Sequence, residues 1–141
     1  MTTIALWPVA TLPVVPAKPQ RKCLKKLKAT GERVAYLGRL AFLAKTDSYA
    51  KQTWTSQAQA AWEEYLGHWQ DLRKGCVMPS RLRLHLKDAS PQLVDKTQVP
   101  VSFEPPSMNL AEATPFSWGG IRLGLDCFIH MHELVAIEFL L

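Results

Sequence analysis

The sequence predicts an α+β domain: a helical N-terminal half with two long helices, then a small antiparallel sheet and a C-terminal helix. Three observations carry that expectation. Apolar residues recur every three or four positions from Gln20 to about Lys74. After Gly75 the apolar period shortens to two. Breakers at Pro13–Pro19, Thr46-Asp47-Ser48, Pro105-Pro106 and Gly119-Gly120 fall between the patterned runs. The chain has 141 residues, 48% hydrophobic and 21% charged, enough for one sizeable core. That usage excludes wholesale disorder and collagen, coiled-coil or mucin-like architectures.

Residues 1–19 read as a proline-rich N-terminal segment and residues 20–141 as a single α+β domain. The opening is apolar but has no basic n-region, and Pro8, Pro13, Pro16 and Pro19 interrupt any helix, so it does not read as a signal peptide. Ile4, Leu6 and Trp7 suit a short docked strand, and Pro13–Lys18 an extended linker. Gln20–Ala44 reads as a helix with Leu24, Leu27, Val34, Leu37, Leu40, Phe42 and Leu43 towards one side. Thr30-Gly31 in its middle leaves open two shorter helices, with Thr30 capping the second. The next helix starts after Thr46-Asp47-Ser48 and carries the stripe Trp54, Ala58, Ala61/Trp62, Tyr65, Trp69, Leu72 before a Gly75 cap. Its tryptophans read as packing groups rather than a base-stacking platform.

Leu82, Leu84 and Leu86 alternate with Arg81, Arg83, His85 and Lys87, the pattern of a half-buried strand with a basic outer face. Val99, Val101 and Phe103 form a second alternating run, and Ile121, Leu123 and Leu125 a third, with the loop-like stretch 105–118 between them. Asp126 is expected to cap a last helix whose apolar face is Phe128, Met131, Leu134, Val135 and Phe139. The apolar ending Ile137–Leu141 suggests a tip buried in a partner, as in a dimer, or a truncated chain.

The net charge of +5 is unevenly spread. Residues 18–45 carry nine Lys/Arg against one acid, whereas residues 98–141 carry one Arg against five acids. A patch of that density attracts polyanions, or else the chain's own acidic end. The expected nucleic-acid contacts are Lys22, Lys25, Lys26, Lys28, Arg33 and Arg39 on the first helix, with Arg81, Arg83 and Lys87 on the basic strand. A two-stranded ribbon bearing the latter has the spacing to enter a major groove.

Positive signs of catalysis are lacking: there is no G-x-S-x-G, no Walker loop and no G-x-G-x-x-G. Glu63-Glu64 are helix neighbours about 100° apart, which suits a solvated face. Cys127, His130, His132 and Glu133 are the densest set of potential ligands, but on a helix His130 and His132 diverge by about 200°, so neither a metal nor another cofactor is expected. Three cysteines without a disulfide framework and no membrane-length apolar run point to a cytoplasmic protein with no membrane partner.

The order of motifs Thr46-Asp47-Ser48-Tyr49-Ala50, Val99–Phe103, Thr114–Asp126 and His132–Val135 resembles the AcaB-like proteins of integrating conjugative elements and related plasmids, over roughly Ala44–Val135. The resemblance implies a dimeric DNA-binding regulator of conjugative transfer with a ribbon-helix-helix-like element, here strand Ile121–Leu125 followed by a helix from Asp126. The expectation is therefore a non-enzymatic accessory or transcription-regulating protein of a mobile element that binds double-stranded DNA as an oligomer. The alternative is an adaptor or inhibitor whose basic helix docks on an acidic partner protein, for instance one from the same element.

Overall fold

The computed structural model describes residues 14–15 and 18–140, with side chains from Leu24 onward. Helix α1 spans Lys18–Leu43 and helix α2 spans Tyr49–Gly75, joined by residues 44–48 into a helical hairpin. Leu24, Leu27, Val34, Leu37 and Ala41 of α1 face Ala58, Ala61, Tyr65, Trp69 and Leu72 of α2 and the sheet strands in one core. Trp54 and Trp62 are partly buried against the same core, which confirms the tryptophans as packing groups.

Helix α1 is continuous, so the two-helix alternative at Thr30 does not hold. Thr30 is buried, and its hydroxyl donates to the Lys26 carbonyl at 2.6 Å. That back-bond satisfies the side chain inside the helix and removes the reason to cap a new one. Gly31 is needed for close approach: a Cβ there would lie 2.3 Å from the Trp118 ring. At the hairpin turn Ser48 Oγ accepts from Lys51 N at 3.1 Å. Lys51 Nζ donates at 2.9 Å to the Ala41 carbonyl, supplying the cation that the last turn of α1 lacks.

Among the described residues nine strands follow the helices or flank them. A four-stranded antiparallel sheet has the order β1-β9-β2-β3, built from Val14–Val15, Leu134–Leu140, Arg81–Leu86 and Gln92–Asp95. A three-stranded sheet has the order β4-β7-β8, from Val101–Glu104, Gly120–Leu123 and Cys127–His130. Ser107–Met108 (β5) and Phe116–Ser117 (β6) pair within the stretch expected to be a loop. The expected strands at 80–87, 99–103 and 121–125 therefore exist as β2, β4 and β7 with shifted ends. The suggested strand at Ile4–Trp7 lies outside the described residues.

The expected C-terminal helix is absent, and this is the main correction to the fold. Gly124 at φ 62° opens a turn that joins β7 to β8 as a hairpin, so Asp126 lies in a turn and caps no helix. A 3₁₀ turn, Met131–Glu133, leads into β9. In β9, Leu134, Ala136, Ile137, Phe139 and Leu140 are all buried. A strand covered on both faces shows a near-continuous apolar run in place of alternation, and such a run mimics a buried helix. The strand–helix order implied by the resemblance is consequently not present after Ile121.

Candidate nucleic-acid interface

At about 100° per residue, Lys25, Lys28 and Arg39 fall within roughly 60° of one another on one flank of α1, and Lys26 and Arg33 on the other. The two flanks meet different surroundings. On the second, Arg33 Nη2 lies 2.6 Å from Glu64 Oε2 on α2, an exposed pair that neutralises the arginine. On the first, the Lys28 amine is half-buried and sits within the field of Lys87. Burial pushes its pKa down, and the Lys87 charge lowers it further against a smaller opposing pull from Glu32. Lys87 follows β2 directly, and its backbone N–H donates to the Glu133 carbonyl at 2.7 Å, which ties the strand end to the turn that precedes β9. Among the described residues, Lys25, Lys26, Lys28, Arg39 and Lys87 form no ion pair. The Lys22 side chain lies outside the described residues.

The strand face differs from the expected row of basic teeth. Strand β2 is hydrogen-bonded on both sides, to β3 and β9, so it lies inside a sheet and not in a two-stranded ribbon. Arg83 Nη1 is 3.2 Å from Glu138 Oε1, and His85 Nε2 bonds the same carboxylate oxygen. Arg81 is paired in register with Asp95, whose carboxylate it also attracts. Arg83 is therefore charge-compensated by the neighbouring strand, Arg81 lies in register with Asp95 without an ion pair, and Lys87 is the exposed cation at the end of this stretch.

Glu138 gives the sheet an acid-sensitive joint. Burial alone would raise its pKa, but the His85 hydrogen bond and the Arg83 guanidinium outweigh burial and hold it below the ordinary value of 4.5. A lowered carboxylate pKa contributes stability that is present above 4.5 and lost as pH falls through the folded-state value. Urea midpoints are expected to drop on acidification below about 4.5, and less steeply in Glu138→Gln. Equal slopes for the two proteins would remove the joint from the account.

Lys28 carries the opposite sign. Its folded-state pKa is depressed, so the charged amine is penalised in the fold at neutral pH, and the penalty fades as pH rises towards 10.5. Lys28→Met is expected to raise the urea midpoint at pH 7 while weakening polyanion binding.

Two aromatic groups that the charge map does not mark border this cluster. Trp118 packs on Gly31, one turn beyond Lys28, and its ring lies 6.0 Å from that of His132. Among the described residues no three or more His, Cys, Asp or Glu side chains gather to hold a metal ion. In the same set no helix is long and apolar enough to cross a membrane. Compared with protein-family models, curated proteins and solved structures, the chain matches none of them.

Proposed function

We propose that this chain is a non-enzymatic accessory or regulatory protein that binds double-stranded DNA through the α1 flank of Lys25, Lys28 and Arg39, with Lys87 adding to it. The observation that carries the reading is one flank of α1 on which Lys25, Lys28 and Arg39 lie within about 60° of one another and form no ion pair among the described residues, with the Lys87 charge close enough to be felt at Lys28. Such a flank gains most from an anion of the spacing and charge of a phosphate backbone. Lys25 and Arg39 extend the contact along the helix, and Lys26 approaches from the other flank. Arg33 and Arg83 take a smaller part because Glu64 and Glu138 already pair with them, and Arg81 lies beside Asp95 in the sheet register. The setting in a conjugative or other mobile element, and action as an oligomer, rest on the resemblance to AcaB-like proteins.

The same flank also suits an acidic protein surface, and one purification separates the readings. Prepared without nuclease at low salt, the chain is expected to co-elute with nucleic acid and to lose it on nuclease or high-salt treatment. A discrete complex with one acidic protein that survives nuclease would favour the adaptor reading and count against DNA.

A further inference from the structure

The β4-β7-β8 sheet turns one face to the core and the other outward. Ile121 and Ile129 are buried, with Val101, Phe103 and Leu123 packed beside them. On the outer face the register sets Ser102 beside Arg122, Arg122 beside Phe128, and Gly120 beside His130. These side chains form a continuous ladder. The Arg122 guanidinium carbon lies 5.2 Å from the Phe128 ring centroid, and Glu104 holds that guanidinium at 2.8 Å. Phe128 meets His130 edge to face at 4.8 Å, and His130 stacks on His132 at 5.3 Å with 30° between the planes. Gly120 leaves room for this arrangement, since a Cβ there would sit 2.5 Å from the Phe128 ring.

The ladder adjoins the basic cluster. His132 neighbours Trp118, which rests on Gly31 of α1, and Glu133 accepts the backbone N–H of Lys87. A surface therefore runs from phosphate-attracting amines at Lys28 and Lys87 to the exposed rings of His132 and His130. Amines beside exposed rings match a backbone that carries phosphates next to bases whose faces are accessible. In a duplex those faces are already stacked, whereas an unpaired base offers one.

We propose that the outer face of this sheet binds single-stranded nucleic acid, with bases stacking on His130 and His132 and the backbone running to Lys28 and Lys87. The proposal rests on the nucleic-acid reading above and adds the ring platform to it. Burial of Trp69 and Tyr65 does not bear on it, because those rings belong to the core.

The test is fluorescence anisotropy on the full chain at low salt. The probes are a labelled oligothymidine of about twenty nucleotides and a duplex of equal length. The variant H130A/H132A is expected to bind oligothymidine roughly tenfold more weakly, with duplex affinity unchanged. The variant H130F/H132F keeps rings at both positions and is expected to retain oligothymidine binding within about twofold. Unchanged oligothymidine binding by H130A/H132A, or equal loss on both probes, would overturn the platform and leave the basic patch standing. Loss in H130F/H132F equal to that in H130A/H132A would also overturn it. If the unaltered chain binds neither probe, the nucleic-acid reading fails and takes the platform with it.

Discussion

Reversing the charge at Lys25, Lys28 and Lys87 together (K25E/K28E/K87E) is expected to lower affinity for duplex DNA by at least about a hundredfold at low salt. The loss should be similar for unrelated DNA sequences, because contacts to phosphate position a protein without reading bases. The salt dependence should flatten in parallel, by about one unit of log–log slope for each phosphate contact removed. Removing Arg33 provides the contrast. Its guanidinium already lies 2.6 Å from Glu64 and is exposed, so Arg33→Ala should change affinity by no more than about twofold. Measurement of both variants by anisotropy decides whether the response follows total charge or the specific α1 flank. Comparable losses in the two would mean that total charge, and not the unpaired flank of α1, governs binding.

The largest expected effect on stability comes from Tyr65. Its side chain is fully buried at the centre of an aromatic group, 4.9 Å from Phe116, 5.8 Å from Trp118 and 6.3 Å from Trp62 by ring centroid. Its hydroxyl donates to the Trp118 carbonyl at 2.7 Å, and burial pushes its pKa well above the ordinary value. Tyr65→Ala opens a cavity of ring size and should destabilise the fold by about 3–5 kcal/mol. Tyr65→Phe keeps the rings packed but leaves the Trp118 carbonyl without its donor, for roughly 1–3 kcal/mol. Urea denaturation reads both. Trp118 also seats on Gly31, so loss of Tyr65 is expected to loosen the α1 flank and weaken DNA binding beyond what Tyr65→Phe does.

The helical half was legible in the sequence because its burial follows the helix period. The steps from Ala58 through Ala61, Tyr65, Trp69 and Leu72 are three and four, and those residues form the buried face of α2. Strand β2 was legible for the corresponding reason, since Leu82 and Leu84 alternate with polar neighbours. Strand β3 was not: in Gln92–Asp95 a single residue, Val94, is buried, which leaves no alternation to detect. Strand β9 was misread because its two covered faces erase the period of two.

The same misreading reached the site. With residues 134–140 taken as helix, nothing placed Glu138 opposite Arg83 and His85, and the strand face looked uniformly basic. Once β9 lies beside β2, Glu138 at the acidic end of the chain pairs with Arg83 and His85, and the basic row of β2 loses its middle. The density of lysines in α1 was readable from the chain. Their division between two flanks follows from the helix period, but what each flank meets, Glu64 on one side and the field of Lys87 on the other, depends on tertiary packing. The ring ladder was hidden for a related reason: Phe128, His130 and His132 share a face on a strand and its following turn, but diverge on a helix.

The most direct measurement is the affinity of the nuclease-treated, unaltered chain for a labelled duplex, titrated from about 50 to about 200 mM salt. The expected result is binding at the low end, with the logarithm of affinity falling linearly against the logarithm of salt and a slope of about −3, as a few phosphate contacts require. Absence of a complex at the lowest salt, or a complex whose affinity ignores salt, would contradict the account.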